Sequence, residues 1–229
     1  MTGSALPADL DVVRNPRARR CTLSLDSATG RARLVLPPRA ALKPALVWAA
    51  GKAAWLAEQR ARLPVARPFG AGTVVTVADE VLTIVRDEGT RRALIHDGDR
   101  LLVAGPEDTI GRRVEAWIKR RALDLLTIET AEYATLAGVT VASVAIGDAR
   151  RRWGSCASTG VIRYSWRLIL APGWVRRATV AHEVAHRVHM NHGPQFHALV
   201  ADLYGRDPTP ARAWLREHGA ALHWVGRSS

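Results

Sequence analysis

Cysteine is scarce in this chain. Only Cys21 and Cys156 occur among 229 residues, far apart and in no C-x-x-C spacing. That excludes a disulfide framework and a cysteine-ligated zinc site, and leaves two reduced structural thiols. Long apolar runs are missing too: no stretch approaches the roughly 18 residues of a membrane span, so no membrane association is expected. The opening MTGSALPADLDVV has no basic segment followed by an apolar one, unlike a secretory signal, and the expectation is a soluble cytoplasmic protein. Lysine is nearly absent, with Lys43, Lys52 and Lys119 the only three. There is no internal repeat, no low-complexity tract and no glycine loop of the kind that cradles phosphate. Nothing in the sequence sets an oligomeric state.

What is abundant is arginine. Lysine and arginine together number 33 against 21 acidic residues, a net charge of +12. Such a balance suits a nucleic acid or nucleotide partner. It is equally what a GC-rich genome produces without selection, since the arginines are scattered, with short clusters at 17–20 and 150–152. A hydrophobic fraction of 48% suffices for one sizeable core or two modest ones.

Residues 1–18 carry no periodic signal and are expected to lie outside regular structure. CTLSLDS and RARLVLP alternate apolar and polar around ATG, which predicts a β-hairpin. From Pro44 to about Arg62 the spacing predicts a helix. TVVTV, VLTIV, RALIH and RLLVA read as four strands, with turns at DEGT and DGD. A long helix is expected over 109–137, with Asp108 as N-cap and Val114, Ile118, Leu123, Leu126 and Ile128 on its stripe. VASVAI, RRRWGSC and VIRYSW follow as strands, then a helix from Trp174 to Met190 and short helices near 194–204 and 209–218. The division is therefore a β-rich region with one helix, 1–105, and a helix, small sheet and helices, 106–229, with the boundary near Pro106.

HEVAHRVHMNHG, residues 182–193, sets four histidines and a glutamate close together. Trp174, Ala178, Ala181, Ala185 and Val188 recur at steps of four and three and mark the buried stripe of the helix. His182 and His186 lie four apart on a neighbouring face, with Cβ atoms about 5–6 Å apart, so both imidazoles can reach one zinc at about 2.0–2.1 Å. Glu183 projects off that line, where it can take a proton from a water activated by the metal. A catalytic zinc needs a third protein ligand and an open fourth position. His189 lies about 10.5 Å along the axis from His182 if the helix continues, too far to share an ion. His192 can return to the metal if the helix ends near Met190 and Asn191 or Gly193 turns left-handed. His197, on the next helix, is the remaining candidate.

HEVAHRVHMNHGPQF resembles the HExxHxxxxNHxxxF signature of the YgjP-like metal-dependent hydrolases, relatives of the SprT-like zinc metallopeptidases. RRWGSCASTGVIRYSWRLILAP is similar to the RWGSC segment of the same family. The likeness is strongest over residues 148–199. It implies an α+β fold with a zincin-like catalytic domain (long helix, small antiparallel sheet, HExxH helix, C-terminal helices) after a β-rich N-terminal region. It implies one Zn2+ per chain on His182, His186 and His192, with Glu183 as general base, in a metalloendopeptidase acting on peptides or unfolded proteins. The chain departs from the pattern at Val184 (usually Leu), His197 (usually Trp) and Tyr164–Ser165 (usually Leu–Asn).

For RRWGSC the plainest reading is a core anchor at Trp153 and a turn at Gly154–Ser155. The functional alternatives are an edge strand that receives an extended peptide and an oxyanion partner at Arg151 or Arg152. Arg152, Trp153 and Tyr164 are the candidates for substrate contact. Two other functions fit the same residues: metal-dependent hydrolysis of a nucleotide phosphoanhydride, and a nucleic-acid-associated protease or binding module.

Overall fold

The computed structural model describes residues 9–89 and 94–227, and the chain divides into two compact units, 1–65 and 66–229. In the first unit, β1 (Asp11–Arg14), β2 (Thr22–Leu25) and β3 (Ala32–Leu36) form a sheet of order β1-β3-β2. The expected hairpin is β2–β3, paired antiparallel. Its turn is closed by the Asp26 carboxylate, which accepts the Ala28 N–H. β1 lies within the stretch expected to be irregular, and it pairs parallel with β3; residues 1–8 of that stretch lie outside the described residues. Leu34 and Leu36 bury against Ala45 and Ala49. The helix expected from Pro44 is two, α1 (Leu42–Ala50) and α2 (Ala53–Ala61), interrupted at Gly51 and Lys52.

The second unit opens with a four-stranded sheet of order β4-β5-β7-β6, from β4 (Val74–Val77), β5 (Glu80–Asp87), β6 (Ile95–Asp97) and β7 (Arg100–Ala104). The expected DEGT turn and the start of RALIH reach Thr90–Ala93, outside the described residues. Alternation puts Val75, Val77, Leu82, Ile84, Leu101 and Val103 on one buried face. That face shares a single core with Ile110, Val114, Ile118 and Leu126 of α3 (Glu107–Leu136). The chain therefore divides into compact units at 65/66, and Pro106 falls inside the second.

α3 begins two residues earlier than expected, so Asp108 lies in its first turn rather than at the N-cap, which is Pro106. An acidic first turn still complements the positive helix end. Ile128, expected on the stripe, is exposed, and Glu129 is buried instead. Next come β8 (Ser143–Gly147), β9 (Gly154–Cys156) and β10 (Val161–Ser165). This small sheet is mixed rather than antiparallel: β10 runs parallel to β8 and antiparallel to β9. A 3₁₀ turn (Trp166–Leu170), α4 (Gly173–Ala185), α5 (Pro194–Tyr204) and α6 (Thr209–Leu222) complete the unit. Arg167 ties that turn to the end of the chain, donating to the carbonyls of Leu222 and Val225 and to Asp148. Both cysteines are free. Among the described residues no helix is long and apolar enough to cross a membrane.

Candidate metal centre

α4 is held at its start, one turn further in, and at its end. At the start, Ala78 and Asp79 form the β4–β5 turn with positive φ of 53° and 69°, a conformation that disfavours non-glycine residues. The Ala78 N–H donates to the Ile169 carbonyl at 2.8 Å, and Asp79 accepts the Gly173 N–H at 2.7 Å. The strained turn thus supplies a distant acidic cap for the first turn of α4. One turn in, Arg176 donates through Nε to both oxygens of Glu129 on α3, at 3.1 and 3.2 Å, and both side chains are buried. Burial pushes the Glu129 carboxyl above its ordinary range, against the opposing pull of Arg176.

The far end departs from expectation. The helix stops at Ala185, not Met190, and His186 is its C-cap. Trp174 and Val188, placed on the buried stripe by their spacing, are exposed. Arg187, in the turn that follows, donates to the carbonyls of Thr140 and Ser158 and so fastens this corner to the segment before β8 and to the β9–β10 turn. Neither Asn191 nor Gly193 is left-handed. Gly193 is extended, with φ −75° and ψ 178°, and Pro194 sits at the start of α5, where its fixed φ suits a helix.

This path brings His192 back beside α4. The nitrogens offered by His182, His186 and His192 all lie within 4.8 Å of one another. His182 Nε2 and His192 Nε2 are 3.3 Å apart. Bonds of about 2.0–2.1 Å to a tetrahedral zinc would set two nitrogens roughly 3.3–3.4 Å apart, so this pair has the spacing of co-ligands. His186 Nδ1 meets the His189 carbonyl at 3.1 Å. Donation there fixes the tautomer and leaves Nε2 unprotonated. His189 thus serves through its backbone, and its ring is not in the cluster. Phe196, fully buried, packs against all three imidazoles with centroids 4.5–4.9 Å away.

The electrostatics favour neutral imidazoles at His182 and His186. Burial, reinforced by the neighbouring histidines, pushes His182 down to about 4. Burial also lowers His186, partly opposed by its bond to His189. Metal ions bind the neutral ring. Burial pushes the Glu183 carboxyl up to about 7, with Arg152 opposing.

Glu183 is buried against Gly154 on β9. A Cβ built on Gly154 would fall 2.5 Å from Glu183 Cγ and 2.6 Å from Cδ. The expected turn at Gly154–Ser155 is therefore a strand whose glycine makes room for the carboxylate. Trp153 lies against α6: its ring stacks on His223 at 5.3 Å, and a Cβ on Gly219 would meet it at 2.7 Å. Arg152 and Trp153 line a cavity beside His182 and Glu183, and His197 is on its wall. Tyr164 is not among that cavity's walls. It is buried, with its hydroxyl 3.0 Å from Thr130 Oγ1. Sequence reasoning did not name Asp79, read Gly154 only as part of a turn, and gave Phe196 no role beyond its place in a motif. Of these, only Phe196 has a local signal, its place in the NHxxxF pattern.

A family model described as YgjP-like, metallopeptidase domain, matches residues 19–218. Comparison with curated proteins and with solved structures gave no match.

Proposed function

The chain belongs to the YgjP-like metallopeptidase family, and on that premise we propose that it is a zinc-dependent endopeptidase whose ion is held by His182, His186 and His192. The observation that carries this reading is the three-imidazole cluster with buried Glu183 beside it. Bound zinc would supply Lewis acidity, polarising the scissile carbonyl and acidifying a water. Glu183 takes the proton of the attacking water and returns it to the leaving amine. Its raised pKa suits both halves of that task near neutral pH. The His189 carbonyl orients His186, and Phe196 keeps the three rings from rotating away.

The test is Glu183→Gln in the zinc-loaded chain, assayed on unfolded proteins and peptides, with nucleoside triphosphates in parallel. The amide keeps the size but accepts no proton, so peptide turnover should fall about 10²–10⁴-fold while bound zinc, measured by elemental analysis, stays at one per chain. Wild-type turnover in this variant removes Glu183 as the base. Turnover of triphosphates and not of peptides removes the peptidase reading.

A further inference from the structure

Beside His182 and Glu183 is a cavity of about 250 Å³. Ala178 of α4, Val200 of α5 and Ala211 and Leu215 of α6 form its apolar walls with Trp153. Ala178, Val200 and Ala211 are buried. Trp153 is wedged between His223 and Gly219 and makes a fixed wall. The cavity is thus preformed. Two guanidinium-bearing residues, Arg152 and Arg212, stand at its exposed margin, and among the described residues Glu183 is the only acidic one that lines it.

We infer that this cavity receives a bulky apolar side chain flanking the scissile bond, and that it makes the enzyme selective for unfolded chains. The inference rests on the peptidase reading above. A cavity of roughly 150 Å³ lined by aliphatic and aromatic groups takes up benzene, so the space here accommodates a leucine, methionine or phenylalanine side chain. A lysine or arginine side chain is disfavoured twice, by repulsion from Arg152 and Arg212 and by the cost of burying its charge among apolar walls. A bulky apolar side chain is mostly buried in a folded protein. A site that requires one therefore meets its substrate chiefly where a chain is unfolded.

The experiment compares peptides identical except for Leu, Phe, Ala or Lys at the positions flanking the cleaved bond. In the wild-type, zinc-loaded chain, kcat/KM for Leu or Phe should exceed that for Ala or Lys at least tenfold. In Ala211→Phe, which fills the cavity, the Leu-over-Ala ratio should fall at least tenfold. In Leu215→Ala, which enlarges it, preference should move from Leu towards Phe. Circular dichroism checks that both variants are folded. Equal rates on all four peptides, or a ratio unmoved in both variants, overturns the inference. The same peptides as uncleaved ligands of zinc-loaded Glu183→Gln, measured by calorimetry, separate the two readings. Tighter binding of Leu than of Ala and Lys, without turnover by wild type, upholds the pocket and overturns the peptidase. Turnover with no such discrimination upholds the peptidase and overturns the pocket.

Discussion

Gly154 and Glu183 are 29 positions apart in sequence, yet the absence of a side chain on one makes room for the carboxylate of the other. Gly154→Ala should therefore leave the imidazole cluster alone and push the Glu183 carboxylate out of place. Misplacement by about 1 Å can cost on the order of 10²-fold in rate. We expect kcat to drop by about 10- to 100-fold, with zinc content and KM for a small peptide little changed. Unaltered kcat would show that the strand yields instead. The HExxH spacing made His182, Glu183 and His186 legible, because four residues bring two side chains to one face of a helix. Spacing also favoured His192, but through a left-handed turn that the chain does not make. Gly154 was not legible, because its partner comes from another element. Nor was the burial of Tyr164, whose phenol meets Thr130 across 34 positions.

At the scale of elements, α4 depends on a buried ion pair with α3. Arg176 and Glu129 are both almost wholly buried, and a second carboxylate, Asp79, lies 3.6 Å from Arg176. Removing one partner of a buried pair strands the other charge, at a cost of about 3–5 kcal/mol, whereas replacing both with apolar residues is often near neutral. Arg176→Met should thus destabilise the chain by about that amount, and Arg176→Met with Glu129→Leu by markedly less. Urea unfolding of the two single variants and the double measures this. A double variant no more stable than Arg176→Met would mean that the pair is not what joins the helices. Apolar periodicity placed α3 and α4 but mislabelled their faces. It put Ile128, Trp174 and Val188 inside, where the structure has Glu129, Arg176 and Glu183. A period count cannot find a buried charge whose partner lies on another element. It also carried α4 on to Met190, because His186 to Val188 remain in helical spacing while the backbone has already turned.

At the scale of the molecule, the α+β class was legible from the order of periodic segments, and the line of compactness was not. The change from strands to helix suggested a boundary near Pro106, but Leu101 and Val103 just before it share a core with Val114 and Ile118 just after. That core has a consequence for metal removal. Val180, Ala181 and Val184, on the helix that carries His182, and Phe196, which touches all three rings, are part of it, so packing alone should bring the imidazoles together. Chelation should abolish turnover, and reloading should restore it, with the far-UV circular dichroism unchanged throughout. Zinc at 100 times its Kd adds about 2.7 kcal/mol to the folded state by mass action. For a chain of this size that corresponds to a Tm higher by roughly 5–10 °C. His192→Ala should lose that shift while keeping the metal-free Tm within a few degrees, since His192 is exposed and Phe196 remains. Loss of helical signal on chelation would mean instead that the ion assembles this unit, and the three histidines would then be read as a structural site.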